Sequence, residues 1–460
     1  MNDGIIETDL LDDEDFALND ELVDQILEAV EANDSTGLHA LLDPMHSADI
    51  ADMLEQIDAK RRQKILELWE GGVEAEVISE LDEGLREEVI GSLEPHELVE
   101  VVRDLETDDV VDLVEDLEQP QQAAILDALD APDRVAVEKA LSYPEESAGR
   151  LMQSEVVMVP NHWNTGEAID FLRDQDDLPE QFYHVVLVDP RMKPTGYVTL
   201  GKLLGTGRPV LLEDIVEESF RTFNVAQDEE DVAYAFNQYH LISAPVVDED
   251  DRLVGQITID DAMVVLDEEH EEDILRLAGV GEGSLADKVY ETTRARFPWL
   301  FVNLITAILA SLVIAQFEGT ISSLVALAVL MPIVASMGGN AGTQALTVAV
   351  RALATKDLTS SNMWRVIRRE ALVGLANGLV FAVVMGAVGY FWFGNLELGL
   401  VIAVAMVINL VVAGLAGILV PLSLEKLGVD PALASGAFVT TVTDVIGFFA
   451  FLGLAALVLF

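Results

Sequence analysis

The C-terminal stretch that decides the fold is PALASGAFVTTVTDVIGFFAFLGLAALVLF, residues 431–460. It is long enough to cross a bilayer as a helix, yet it carries one ionisable residue, Asp444, near its middle. An unpaired acid at the centre of a bilayer costs at least about 2.5–3.5 kcal/mol, so this carboxylate should face protein or water. We favour an acid that lines an ion path; the alternative is a carboxylate satisfied by the hydroxyls of Thr440, Thr441 and Thr443.

Charge divides the chain into two parts. Residues 1–296 hold 75 Asp and Glu against 20 Lys and Arg, whereas residues 297–460 hold 7 against 6. A polyanionic surface repels nucleic acid, so we expect no nucleic-acid partner and regard cations as the natural ligands. Adaptation to a salt-filled cytoplasm is a second cause of acidity, so surface carboxylate alone identifies no metal site. The chain has no Cys, which excludes disulfides and thiolate metal ligands.

Residues 1–19 form an acidic tail, and residues 20–150 show a helical pattern with a short repeat. An apolar residue recurs every twelve positions and is always followed by an acid, at Ile57, Trp69, Leu81, Leu93, Leu105, Leu117 and Leu129. Such a repeat accommodates about two helical turns and a connection, which predicts an α-helical superhelical domain. Each acid is also suited to beginning the next helix, where negative charge is favoured.

Residues 151–265 contain a longer internal repeat. The segment HVVLVDPRMKPTGYVTL (184–200) is matched by SAPVVDEDDRLVGQITI (243–259), and an amphipathic stretch precedes each copy. A strand, an acidic turn with Gly, a second strand and a helix, twice over, resemble a tandem pair of CBS motifs with an α/β fold. Such pairs commonly bind nucleotides, although Asp260 lacks the hydroxyl neighbour of a ribose-binding pair.

A long acidic connector helix is expected from residue 260 into the membrane, with residues 266–296 forming the connector proper. Residues 297–460 form the membrane domain, with apolar segments at about 298–317, 321–350, 370–393, 398–424 and 431–459. Lys and Arg precede the first segment and fill the second and fourth loops, so we expect a cytoplasmic N-terminus and an extracellular C-terminus. The first residues show no signal peptide pattern.

The second apolar segment contains PIVASMGGNAGTQ (332–344), where Pro332 and the glycines predict an interruption of the helix. Three polar side chains lie at that depth, namely Asn340, Thr343 and Gln344. The second and fifth segments are therefore the best candidates for the ion path. The alternative is a kinked helix that uses its small residues for packing. Asn409 in the fourth segment is interpreted as an interhelical hydrogen bond.

An acidic helical domain, paired CBS motifs, a connector helix and five spans carrying PIVASMGGNAGTQ and DPALASGAFVTTVTD together resemble the MgtE family of magnesium channels. The resemblance covers essentially the whole chain. It implies a homodimer in the cell membrane, with a Mg²⁺ pore at the interface of the second and fifth spans. The pore is expected to close when cytosolic Mg²⁺ is high.

The resemblance also implies the site residues. Asp444 matches the pore aspartate, Thr440 would present a backbone carbonyl to the same site, and Thr441 and Thr443 would line the pore. Sensing acids are implied at Asp430, at Asp261, Glu269, Glu272 and Asp273 on the connector, at Asp228 and Glu230 in the CBS pair, and at Asp108 and Asp112 in the N-terminal domain. Val264, His240 and Ala437 depart from the pattern.

The function expected is Mg²⁺ import, with Mg²⁺ also regulating the pore. One alternative is a membrane-anchored sensor whose CBS pair binds an adenine nucleotide; another is a transporter of Co²⁺, Mn²⁺ or Ca²⁺. Because no His, Cys or Met adjoins Asp444, a hard ion that prefers oxygen ligands is favoured. An enzyme is the least expected class, since the sequence shows no nucleophile and base pair.

Overall fold

The computed structural model describes residues 20–460 except 70, 72, 82, 93–97, 99–100, 104, 116, 118, 176–177, 180–181, 218, 281–288 and 434–435. The predicted acidic tail, Leu93 and four of the acids in the repeat therefore lie outside the described residues. The chain divides into two compact units, residues 1–267 and 268–460.

The N-terminal region is helical, as predicted. Its described helices are α1 (Asp20–Ala32), α2 (Ser35–Leu42), α3 (Ser47–Gln56), α4 (Ala59–Leu68), α5 (Ala75–Ser79), α6 (Glu83–Ser92), α7 (Thr107–Glu115), α8 (Gln119–Ala128) and α9 (Ala131–Ala140). The repeat residues are divided between two apolar cores, one containing Ile57, Trp69 and Leu81 and the other Leu117, with Leu105 and Leu129 packed against it.

Two acids of the repeat have a plain structural role. Asp58 precedes α4, and its side chain accepts a hydrogen bond from the Arg61 N–H at 3.1 Å. Asp130 occupies the same position before α9. Asp58 therefore caps α4, whereas the Asp130 side chain makes no capping hydrogen bond; both carboxylates lie at a helix N-terminus, where the helix dipole favours negative charge. The recurrence of acid along the domain therefore does not by itself mark ligand sites.

The α/β region contains two equivalent halves. Its elements are α10 (Ala148–Leu151), β1 (Met158–Pro160), α11 (Thr165–Asp174), β2 (His184–Val188), β3 (Pro194–Thr199), α12 (Leu200–Gly205), β4 (Phe223–Asn224), α13 (Glu229–Tyr239), β5 (Ser243–Val247) and β6 (Leu253–Thr258). The strand order β1-β2-β3 recurs as β4-β5-β6, with one parallel and one antiparallel pairing in each sheet. The tandem CBS architecture predicted from the repeat is confirmed.

The connector begins with α14 (Ile259–Ala278). Gly279 then adopts a φ of +70°, and the N–H groups of Gly279 and Val280 bond to the carbonyls of Arg276 and Leu275, both at 2.9 Å. This is a Schellman motif, which ends a helix because glycine accepts the left-handed conformation. The prediction of one helix running unbroken to the membrane was therefore wrong.

Among the described residues, five helices are long and apolar enough to cross a membrane, as predicted. The helices of this unit are α15 (Val289–Gln316), the short α16 (Glu318–Ser323), α17 (Ala326–Ala354), α18 (Met363–Phe393), α19 (Leu396–Lys426) and α20 (Gly436–Val458). The fourth span, α19, is the most buried and contacts the second, third and fifth, whereas the first span is the least buried. The second span starts five residues later than expected, because α16 precedes it.

The second span, α17, runs through the glycine-rich segment without a break, so the predicted interruption was wrong. Pro332 lies within its first two turns, where one hydrogen bond is lost and the helix continues. A Cβ atom added at Gly342 would lie 2.6 Å from Val439 Cγ1, and one at Gly338 would lie 2.2 Å from Asn409 Nδ2. The glycines therefore allow close helix packing, which was the alternative interpretation.

Candidate ion path and cytosolic acidic sites

Asp444 lies on the fifth span, half-buried within the single chain. The neighbouring hydroxyls donate to carbonyls of their own helix at 2.5–3.1 Å, those of Thr440 and Thr441 to Ala437 and that of Thr443 to Thr440. None of them satisfies the carboxylate, so the alternative interpretation of this acid was wrong. The Thr440 carbonyl, implied as an ion ligand, already accepts one hydrogen bond.

A polar stripe runs along the second span, every three or four residues. It consists of Ser336, Asn340, Thr343, Gln344 and Thr347, all exposed on the single chain. Sequence reasoning selected the middle three and missed Ser336 and Thr347, although the helical period would have revealed both. Polar side chains at membrane depth face water or another protein surface rather than lipid, so the stripe is suited to line an aqueous path.

The second and fifth spans pack directly against each other. A Cβ atom added at Gly339 would lie 3.2 Å from Thr440 Cγ2, and one at Gly436 would lie 3.7 Å from Thr343 Oγ1. Thr440 is one helical turn before Asp444. The structure therefore brings the polar stripe alongside the turn that precedes Asp444.

Arg276, a basic residue that sequence reasoning missed, pairs with Asp430 and with the connector acid Glu272. Arg276 Nη1 lies 2.6 Å from Asp430 Oδ2, and Arg276 also forms an ion pair with Glu272, one turn earlier on α14. Burial raises the pKa of Asp273, and the nearby negative charge of Asp430 raises it further. Glu269 is half-buried on the same helix.

Within the soluble unit, four acids form an acidic cluster: Glu106, Asp108, Asp109 and Asp261. Asp108 is buried, Asp109 and Asp261 are half-buried, and Glu106 is exposed at the edge. Burial is the main cause that raises the pKa of each one. Repulsion from Asp261 adds to this effect, so the pKa of Asp108 lies well above its usual range and that of Asp109 rises to about 7. The resemblance had implied Asp108 and Asp261; Glu106 and Asp109 were missed as site residues.

Hydrogen bonds from neighbouring residues orient two acids of the acidic cluster, Glu106 and Asp261. Gln153 Nε2 donates to Glu106 Oε2 at 2.6 Å, and the Thr258 N–H donates to Asp261 Oδ2 at 3.2 Å. Glu155 lies beside Glu106, and its Oε2 atom is buried without a hydrogen-bond partner among the described residues. A buried oxygen without a donor is the kind of atom that a cation would satisfy.

Two other implied sensing acids have ordinary partners. Asp112, whose charge also raises the pKa of Asp109, forms an ion pair with Arg86 at 2.5 Å. Asp228 caps α13, accepting hydrogen bonds from the N–H groups of Glu230 and Asp231 at 3.1 and 3.4 Å. In the described ranges, no three acidic or imidazole side chains converge closely enough to hold a metal ion.

Comparison with known sequences decides the family. A family described as a divalent cation transporter matches residues 331–454, the MgtE intracellular N domain matches residues 45–146, and the CBS domain matches residues 212–268. The magnesium transporter MgtE of Enterococcus faecalis is 36% identical over 313 residues, which cover 68% of this chain and 69% of that protein. The chain belongs to the MgtE family of magnesium transporters.

Further proteins similar to this chain are known, two as sequences and two as solved structures. The magnesium transporters MgtE of Bacillus subtilis and Thermus thermophilus are 31% and 34% identical, covering 67% and 68% of this chain and 69% and 70% of theirs. A crystal structure of the soluble part of a magnesium transporter is 26% identical over 54% of this chain and 98% of that chain, with a TM-score of 0.47. The cytosolic domain of the Mg²⁺ channel MgtE in complex with ATP is 29% identical over 53% and 99%, with a TM-score of 0.49.

The CBS-domain match, residues 212–268, covers the second half of the tandem pair, and that half contains an open cleft. The cleft has a volume of about 400 Å³ and is lined by Phe220, Arg221, Thr222, Phe223, Gln227 and Ala235. The Arg221 guanidinium lies 3.5 Å from the centroid of the Tyr239 ring. An aromatic ring and a cation beside one cleft can bind a flat, negatively charged ligand.

Proposed function

We propose that this protein is a Mg²⁺ channel that imports Mg²⁺ down its electrochemical gradient and closes when cytosolic Mg²⁺ is high. The observation that carries the proposal is Asp444, an acid at membrane depth that no neighbouring hydroxyl satisfies. The polar stripe of the second span packs beside the same turn. An anchor helix would need neither feature, which disfavours the membrane-anchored sensor.

The proposed pore chemistry follows from the ligand atoms. Carboxylate, hydroxyl and amide oxygens are hard ligands, and Mg²⁺ keeps much of its water shell, so two symmetry-related Asp444 residues would hold the hydrated ion. The exposed polar stripe supports a homodimer, because a second copy would enclose it. With the N-terminus in the cytoplasm, a membrane potential of 100 mV adds about 2.3 kcal/mol per charge to entry.

The pore assignment is tested by Mg²⁺ uptake into vesicles that contain the purified protein. Asp444→Ala is expected to reduce uptake to the level of protein-free vesicles while the protein stays folded. Asp357→Ala, which removes an exposed acid from the loop after the second span, is the matched control and should transport normally. Wild-type uptake by Asp444→Ala would reject the assignment; competition by Co²⁺, Mn²⁺ and Ca²⁺ tests the alternative ions.

Closure of the pore is proposed to depend on the acidic cluster and on the connector acids. Carboxylates held close together repel each other; Arg86 offsets part of this repulsion at Asp109, and bound Mg²⁺ would supply further positive charge. No three described acids converge on one point in this structure, so a Mg²⁺ ion would have to draw the carboxylates together; their oxygens are ligands that Mg²⁺ prefers, and Glu155 Oε2 beside the cluster lacks a hydrogen-bond donor. The state with the cluster assembled would then be favoured at high Mg²⁺.

Regulation is tested by varying internal Mg²⁺ at constant ionic strength. Asp108→Asn is expected to require more internal Mg²⁺ for closure, because it removes one carboxylate that could bind the ion. The control is Asp58→Asn, which changes an exposed acid that caps α4 and should close as the wild type does. Equal closing concentrations for Asp108→Asn and the wild type would reject a sensing role for the cluster.

An adenine nucleotide at the CBS pair is proposed as a second ligand, on the basis of the cleft that Arg221 and Phe220 line. The test is ATP binding to the full protein by calorimetry. Arg221→Ala should weaken binding, whereas Arg208→Ala, which removes a surface arginine paired with Asp170, should leave it unchanged. Absence of ATP binding by the wild type would reject this ligand.

A further inference from the structure

Asn409 lies in the middle of the fourth span and is fully buried, with 0% of its surface exposed. It is surrounded by apolar residues of the same helix such as Met406, Leu410 and Ala413, all buried. A leucine would fill this position without burying an amide. The presence of an amide in an apolar bundle therefore calls for a specific explanation.

The Asn409 amide fits between two glycines that belong to different spans. A Cβ atom added at Gly338 of the second span would lie 2.2 Å from Asn409 Nδ2, and one added at Gly447 of the fifth span would lie 2.9 Å from Asn409 Oδ1. No side chain could be placed at either glycine without displacing the amide. Asn409 is thus in contact with both helices of the proposed ion path.

Only one of the two polar atoms of the Asn409 amide has a hydrogen-bond partner among the described residues. Nδ2 donates to the Val334 carbonyl of the second span at 2.7 Å, whereas Oδ1 is buried and has no partner among the described residues. A buried oxygen without a donor costs free energy. Stability alone would therefore not select this side chain, and a role in defining one arrangement of the helices is the better account.

We propose that Asn409 is a positioning residue that sets the register between the second and fifth spans. Gly447 is three residues after Asp444, about one helical turn, and Gly338 is two residues before Asn340. A slip or rotation of either span against the amide would move Asp444 relative to the polar stripe. The expected loss of transport rests on the proposed function, whereas the role of Asn409 in setting the helix register does not.

The first test separates positioning from stability. Asn409→Leu is similar in size and removes both the donor and the unpaired oxygen, so the unfolding temperature in detergent should be unchanged or higher. Mg²⁺ uptake should fall by at least about tenfold, with reduced discrimination against Ca²⁺. Met406→Leu, one turn earlier, is the control and should change neither. Uptake and selectivity equal to the wild type, or parallel loss of stability and uptake, would overturn the proposal.

The second test does not depend on transport. Because the natural chain has no Cys, Thr343→Cys and Gly436→Cys together provide a crosslink between the second and fifth spans without background. Their positions are adjacent, with the added Cβ 3.7 Å from Thr343 Oγ1. Oxidation should crosslink this pair efficiently, and Asn409→Leu should lower the yield. An equal yield would overturn the proposal; a lower yield in a protein without Mg²⁺ flux would reject only the proposed function.

Discussion

Aspartate has different surroundings in the soluble unit and in the fifth span of the membrane unit. In the soluble unit aspartate is abundant and often has an ordinary role, as Asp58 and Asp228 show by capping helices and Asp112 by pairing with Arg86. In the membrane unit Asp444 has no such partner in its own helix. An acid inside a membrane span is therefore stronger evidence of function than an acid on a soluble surface, because burying it in the membrane costs free energy that a functional role must justify.

The largest effect is expected from glycine packing, which differs between Gly342 of the second span and Gly201 of the soluble unit. Gly342→Ala should destabilise the protein by about 1–3 kcal/mol, because the new Cβ would lie 2.6 Å from Val439 Cγ1. Gly201→Ala in α12, where nothing lies within 4 Å, should be neutral or stabilise by up to about 1 kcal/mol. Thermal unfolding in detergent measures both. Equal changes in stability for the two variants would mean that the second and fifth spans can move apart at Gly342 without cost.

A second prediction concerns Asp228, which is either a helix cap or a Mg²⁺ sensor. Asp228→Ala should lower stability by about 1 kcal/mol, since two N–H groups of α13 lose their acceptor. Asp228→Asn keeps the cap and removes the charge, so stability should be retained. If Asp228→Asn raises the internal Mg²⁺ needed for closure, the residue also senses Mg²⁺; an unchanged closing concentration limits it to capping.

A third prediction tests Arg276, which pairs with two of the implied sensing acids. Arg276→Gln frees Glu272 and Asp430 from their basic partner, so mutual repulsion should favour the open state. Because the pair is partly exposed, we expect the closing Mg²⁺ concentration to rise by no more than about fivefold. Arg134→Gln, which breaks exposed ion pairs in the soluble unit, is the control. A lower closing concentration would contradict this account.

The smallest effect is expected from pH. His184 Nδ1 lies 2.6 Å from Ser243 Oγ, at the symmetric starts of β2 and β5, and burial lowers the pKa of the imidazole while nearby Glu217 partly opposes this. The unfolded chain then binds the proton more readily, so stability is retained above about pH 6.5 and falls as the pH drops below it. His184→Gln should reduce this dependence in thermal unfolding. The exposed His162→Gln should not.

Much of the fold was predictable from local patterns. The tandem CBS repeat was visible because equivalent strands and turns share composition, and the five spans because apolar length is a property of contiguous sequence. The errors arose where local rules were taken to act alone. Pro332 was expected to break the second span, but neighbouring helices stabilise the helix around it; Gly279, which does end α14, was overlooked.

The sequence by itself determined the family, the order of domains, the number of spans and the exceptional position of Asp444, because hydropathy, repeats and charge density are read along the chain. Only the tertiary structure decided which acids have partners and which do not. Three features depend on distances between residues far apart in sequence: the pairing of Asp430 with Arg276, the closeness of Asp261 to Asp108, and the position of Asn409 between two glycines. Such distances arise from packing, and no local pattern encodes them.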